Sequence, residues 1–373
     1  MIVALPRRIK PGRCRCRPTG TLTAMDTLTL TRPDDWHLHL RDGPVLEHVV
    51  PWSAERFGRA IVMPNLIPPV VTTEQARAYR DRILAATPAD SGFQPLMTLY
   101  LTDNTTPAEI ERAAACGWVH AVKLYPAGAT TNSDSGVTDI ARCADALDTM
   151  AEQGLGLCIH GEVTRPETDI FDREKLFLHE RLAPLLERHP RLRVVLEHLT
   201  TADAVDFVRQ GPERLGATIT PQHLLLNRNA LLAGGIRPHH YCLPILKRER
   251  DREALVEAAV SGHPRFFLGT DSAPHARGAK ESACGCAGVF SAPLAIELYA
   301  EVFDEAGALA RLEEFAALHG ADFYGLPRNP DTITLERAPR SVPDQLPYAT
   351  ETIIPMRAGG TVAWRLKSAN PAP

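Results

Sequence analysis

A chain of 373 residues with 44% hydrophobic and 23% charged side chains is globular in composition and long enough to bury a sizeable core. It contains no run of eighteen apolar residues, which rules out a transmembrane helix. The formal charge of −4 conceals an asymmetry: residues 1–25 hold six basic groups and no acid, which leaves −10 on an acidic body that argues against nucleic acid as partner. The eight cysteines are scattered, several inside apolar runs such as LGLCIH, and read as reduced thiols in a cytoplasmic setting.

In chain order, residues 1–25 read as a basic, disordered extension. Cys14 and Cys16 lack a nearby His and make a poor metal site. Met25 directly precedes the first strand-like patterning, so it is the expected natural start, or else 1–24 is dispensable. Eight candidate strands follow, namely DDWHLHL, RAIVMPN, FQPLMTLYLT, HAVKLYP, GLCIHGE, RVVLEHLT, GATITPQHL and RFFLGTD. Helix-like stretches separate them, among them TTEQARAYRDRILAAT, TPAEIERAAACG and DIFDREKLFLHERLAPLLERHP. In the last, Phe171, Leu178, Leu182, Leu185 and Leu186 are spaced to share one apolar face. This alternation predicts an α/β fold with parallel strands.

Seven of the eight runs end on a polar or ionisable residue that packing does not require: His37 and His39, Asn65, Lys123, His160, His198, Gln222 or His223, and Asp271. Polar tips on eight strands fit the rim of a (β/α)8 TIM barrel better than an open sheet, whose site lies at one switch point. No GxGxxG or P-loop follows any strand, so nucleotide binding has no support. The expected organisation is the extension 1–25, a catalytic barrel over 26–325, and a C-terminal elaboration over 326–373 carrying the short strands DTITLER and TVAWRLK.

His37 and His39 stand two apart at a strand end, and side chains at i and i+2 share a face, so both imidazoles can reach one ion. Either of His160 and His198 alone reads as a satisfied core histidine. Four histidines and an aspartate on barrel rims together point to a divalent cation that gives every buried polar group a partner. Asp271, in FLGTDSAPH, can ligate a metal and also move a proton as general base; a helix N-cap is its plainer role. A protonated Lys123 cannot bind a cation. With carbon dioxide captured as a carbamate it becomes a carboxylate able to bridge two metals; otherwise it is a structural ion-pair partner.

The segments WHLHLRDG, AIVMPNL, AVKLYPAGATTNS, CIHGE, LEHLTT, ATITPQHL, YCLPILKR and GTDSAPHARGAKESACGCAG resemble the short-chain bacterial dihydroorotases of the amidohydrolase superfamily, from about residue 26 to the C-terminus. The resemblance implies two Zn²⁺ per subunit. His37, His39 and Asp271 would hold one ion and His160 and His198 the other, with carboxylated Lys123 bridging both. It implies that Arg41, Asn65 and His275 bind the substrate carboxylate, that backbone groups of Leu243 and Ala287 contact the ring's amide edge, and that Thr130 and Thr131 lie on a mobile loop closing over the substrate. The implied reaction is reversible cyclisation of N-carbamoyl-L-aspartate to (S)-dihydroorotate in pyrimidine synthesis, through a metal-bridging hydroxide with Asp271 as proton shuttle. The bacterial members further imply a cytoplasmic homodimer with a small-molecule substrate and no membrane or nucleic-acid partner. The alternatives are another cyclic amidohydrolase, hydantoinase- or allantoinase-like, or an inactive structural homologue. The acid-binding set Arg41, Asn65 and His275 disfavours the former, and the complete ligand set disfavours the latter. Cys284 and Cys286 read as part of a tight loop beside the substrate cavity, and Cys242 as packing.

Overall fold

The computed structural model describes residues 26–283 and 285–370. The basic head with Cys14, Cys16 and Met25, together with Cys284 and residues 371–373, lies outside the described residues.

Eight parallel strands lie side by side in chain order: β2 (Asp35–Leu38), β3 (Arg59–Val62), β4 (Gln94–Tyr100), β5 (Val119–Leu124), β6 (Gly156–Ile159), β7 (Val194–Leu196), β8 (Leu215–Ile219) and β9 (Phe266–Leu268). Each coincides with one of the apolar runs of the sequence, β5 and β8 beginning one residue before theirs. Closure comes just beyond the last strand. The Asp271 amide donates to the His37 carbonyl at 2.8 Å, and the His39 amide donates to the Ser272 carbonyl at 3.1 Å. Asp35 reinforces the seam by accepting from the Thr270 amide at 2.8 Å and the Thr270 hydroxyl at 2.6 Å. The result is a (β/α)8 TIM barrel.

Helices return the chain between strands. In the helix Thr73–Ala85, Thr72 and Gln75 form a reciprocal capping box; in the helix Pro107–Ala115, the Thr106 hydroxyl caps the start. The segment Arg173–Arg188 is also helical, with a wider π turn over Leu178–Leu182, and it buries Leu178, Leu182, Leu185 and Leu186 against the sheet. Phe171 departs from the expected apolar face. It precedes the helix, half-buried, and lies beneath the guanidiniums of Arg228 and Arg248.

Alternation along the strands separates two apolar layers. Ala60, Val62, Val122, Leu157 and Leu196 point outward to the helices, while Ile61, Ala121, Cys158, Val195 and Phe267 point into the barrel. The floor is plugged by the helix His319–Tyr324, whose Tyr324 stacks on Trp36 at 4.6 Å between ring centroids. Above this apolar floor the next inward positions are free to carry chemistry.

Beyond the barrel, Thr332–Glu336 pairs antiparallel with both β1 (Thr27–Thr31) and the last strand, Arg365–Asn370. The residues that follow Met25 therefore join the C-terminal sheet and not the barrel. The expected strand DTITLER is present, and TVAWRLK is split between Thr361–Val362 and this last strand.

Candidate metal centre

Two residues above the floor, the inward faces of β5, β6 and β7 present Lys123, His160 and Glu197, all fully buried. His198 has the wrong parity to face inward. A left-handed backbone (φ 46°) turns it in, and its amide is held by the Thr218 hydroxyl at 2.8 Å. Asp271 likewise has φ 44°. Both strained residues sit at strand tips, where such conformations accompany function.

His37, His39 and Asp271 converge. His37 Nε2 is 3.1 Å from His39 Nε2, and Asp271 Oδ1 lies 3.3 Å from the first and 3.1 Å from the second. Ligand atoms about 2.0–2.1 Å from a tetrahedral zinc stand roughly 3.4 Å apart, so this triad has the dimensions of a cation site. A second group joins His37 and His198 to Glu197, whose Oε1 is 3.1 Å from His37 Nδ1. The rings of His160 and His198 pack 4.8 Å apart between centroids, while His160 Nε2 engages Glu162 Oε2 at 2.7 Å. His198 Nδ1 and Glu162 Oε1 are buried with no hydrogen-bond partner among the described residues. Buried ligand atoms of this kind, without a partner, are what a bound cation would satisfy. The donor set fits metal.

Lys123 pairs with Glu197, both side chains fully buried. Sequence reading alone does not reach Glu197, because its neighbour His198 is the more conspicuous candidate for the strand tip. The available signal was parity, since Glu197 is two residues from the inward Val195.

The electrostatics follow from two carboxylates placed among imidazoles. Burial disfavours the charged form of His37, but Glu197 and Asp271 outweigh it and lift its pKa to about 9. Burial alone raises a carboxyl pKa; against it, His37 and Lys123 bring Glu197 down to about 2, and His37 and His39 hold Asp271 well below the ordinary range. Burial, with Arg41 nearby, lowers His39 to about 4.

The expected substrate residues line the same pocket. Arg41, Asn65, Thr130, Thr131, Leu243 and Ala287 border it with the four histidines and Asp271. His275 stands behind them, its Nε2 2.8 Å from Arg41 Nη2 and 3.0 Å from the Ala287 carbonyl. Burial and Arg41 push its pKa down to about 2, so the ring is neutral. Asn65 Oδ1 accepts from His39 Nδ1 at 2.9 Å and its Nδ2 donates to the Thr131 carbonyl at 3.1 Å, which draws the 130–131 segment over the pocket. The space left is about 20 Å³, close to that of one water molecule. Cys242 is buried beside His223, and Gln222 and His223 sit in a short helix after β8, outside the ligand cluster.

Residues 34–336 match the amidohydrolase family, and the chain belongs to that family. Its relatives narrow the class. The dihydroorotase of Alkalilimnicola ehrlichii is 70% identical over 92% of this chain and 100% of its own length. The crystal structure of dihydroorotase from Campylobacter jejuni matches with a TM-score of 0.84 at 36% identity, covering 92% of this chain and 98% of that one. Dihydroorotase from Saccharomyces cerevisiae, in complex with 5-fluoroorotic acid, matches with a TM-score of 0.86 at 33% identity over 93% and 99%. Within the amidohydrolases, this chain is a member of the dihydroorotases, hydrolases acting on cyclic amides.

Proposed function

We propose that the chain interconverts N-carbamoyl-L-aspartate and (S)-dihydroorotate with two Zn²⁺ held at the barrel rim. The observation that carries this reading is the approach of Asp271 to both His37 and His39, with an acid-binding arginine on the same pocket wall. His37, His39 and Asp271 would hold one ion and His160 and His198 the other. Lys123, carboxylated by carbon dioxide, would leave its partner Glu197 and bridge the two. When bound, the ions supply Lewis acidity toward the ring carbonyl and an activated water.

The chain's own residues supply the rest. Asp271 is ionised and can accept the proton of the attacking water, then deliver it to the departing ring nitrogen. Ring closure reverses this, with Asp271 first taking a proton from the ureido nitrogen. Arg41 offers paired N–H donors to the substrate carboxylate, and Asn65 and neutral His275 add further donors. The amide edge of the ring would meet backbone groups of Leu243 and Ala287, and Thr130 and Thr131 would exclude water above it. The reading extends to a cytoplasmic homodimer, on the resemblance to bacterial members.

The test measures zinc per chain beside turnover of dihydroorotate. Two ions and full turnover are expected in the parent protein, with loss of metal in Lys123→Ala. Asp271→Ala removes a ligand and the proton carrier together, so kcat should fall by at least roughly 10²–10⁴-fold. Near-normal kcat in that variant rejects the role, and full zinc in Lys123→Ala rejects the bridge.

A further inference from the structure

Among the described residues, a buried cation outside the ligand cluster has no part in the pocket scheme above. Lys280, the last residue of the short helix Arg277–Lys280, is 4% exposed. Its ammonium donates to three backbone carbonyls: Tyr241 at 2.8 Å, Cys286 at 2.7 Å and Gly288 at 2.7 Å. An ammonium has three N–H donors, so these carbonyls saturate it. Burying a charge costs free energy that only such convergent partners offset, which ties the position of each carbonyl to this one nitrogen.

Those carbonyls flank the pocket wall. Cys286 and Gly288 bracket Ala287, so peptide groups on both sides of Ala287 are pinned. Tyr241 lies two residues before Leu243, and its carbonyl also accepts from the Gly288 amide at 2.9 Å. The two loops are thereby laced together at Lys280. Little slack remains on the far side: Gly288 has φ 151°, and a Cβ there would lie 2.6 Å from the Ala273 carbonyl. The Ala287 carbonyl in turn meets His275, which touches Arg41. One buried ammonium thus connects the ring-edge backbone with the carboxylate-binding side of the pocket.

We propose that Lys280 is a positioning residue for the reaction, holding the backbone of Ala287 and Leu243 where it reads the amide edge of the substrate ring. This rests on the reading of the pocket given above. Lys280 is absent from the pocket lining and bonds no metal ligand, so it acts through binding geometry and not through the centre itself.

The experiment uses the zinc-loaded protein and dihydroorotate. Lys280→Met keeps the aliphatic stem and removes the donors; KM should rise at least ~10-fold, the scale of a small misplacement of a binding group. Its kcat should change by less than about threefold and zinc per chain not at all, because the ligands sit at strand tips that Lys280 does not bond. Lys280→Gln keeps two of the three N–H donors on a shorter side chain, and its KM should fall between those of the parent and the Met variant. A parental KM in folded Lys280→Met overturns the proposal. So does a loss of zinc and of kcat in parallel with the raised KM, which a merely structural lysine produces. Should the Met variant not accumulate, a parental KM in Lys280→Gln overturns it equally. If the parent protein does not turn over dihydroorotate, the substrate reading has failed instead. Hydrogen exchange at the Ala287 and Gly288 amides then tests the lacing, with at least ~10-fold faster exchange expected in Lys280→Gln and unchanged exchange overturning it.

Discussion

Lys123 on β5 and Glu197 at the end of β7 form an ion pair across the inner face of the intervening strand β6, with neither side chain exposed to solvent. Such a pair is strongly destabilising to break from one side, because the surviving charge stays buried without compensation. Glu197→Gln should therefore lower the unfolding free energy of protein stripped of metal by a chelator by about 3–5 kcal/mol. Urea denaturation of the stripped parent and variant measures this directly. Coincident midpoints would mean that the ammonium has another counter-charge.

Arg41 reaches the pocket from a left-handed backbone with φ 60°, latched by the Tyr79 hydroxyl, which donates to its carbonyl at 2.6 Å. Its Nε donates to the Pro274 carbonyl at 3.0 Å, which orients the guanidinium toward His275 and the cavity. Arg41→Met keeps bulk and removes the charged donors. With about 1.5–3 kcal/mol per charge-assisted bond, kcat/KM for carbamoyl aspartate should drop roughly 10- to 150-fold. Zinc per chain should stay unchanged, since Arg41 holds no metal in this scheme. An unaltered kcat/KM would remove Arg41 from substrate binding.

The barrel was legible because strands buried on both faces read as near-continuous apolar runs, and the polar residues ending seven of the eight runs mark the rim. His37, His39, His160, His198 and Asp271 were legible for the same reason. Glu197 was not, because picking it out needs the parity of a strand only three residues long, and the adjacent His198 faces inward solely through its positive φ. The pairing of Thr27–Thr31 with Thr332–Glu336 was equally hidden, since nothing local marks a contact across some three hundred residues. Lys280 is the extreme case. A lone lysine in a polar loop reads as a solvated charge, and its partners are carbonyls that carry no signature in the sequence.

Gly320 allows the helical plug to close the barrel floor. A Cβ at this position would stand 1.9 Å from Trp36 Nε1 and 2.4 Å from two ring carbons. Trp36 cannot retreat, because it is fully buried and stacked between this helix and the barrel interior. Gly320→Ala should cost about 1–3 kcal/mol or more of stability through overpacking, against the small helix-propensity gain that alanine brings. Thermal unfolding of the variant reads this as a lower Tm. An equal or higher Tm would show that the plug is loosely seated.

Glu174 provides a pH signature separable from the metal centre. Its buried carboxylate accepts from the Thr200 amide at 3.0 Å and from the Thr201 hydroxyl, and so ties the helix after β6 to the loop after β7. Burial raises its pKa from 4.5 to about 7, although Lys247, Thr201 and Thr200 pull the other way. The folded value lies above the unfolded one, so folding favours the neutral acid. The stabilisation is complete below about pH 4.5 and is lost as pH rises through about 7. Glu174→Gln cannot ionise and keeps an oxygen for the Thr200 amide. Measured by urea unfolding at pH 5 and pH 8, the variant should gain on the parent by about 3 kcal/mol at the higher pH, following the linkage of about 1.4 kcal/mol per pKa unit. A stability difference that does not change between the two pH values would show that Glu174 ionises in the folded protein as readily as in the unfolded chain.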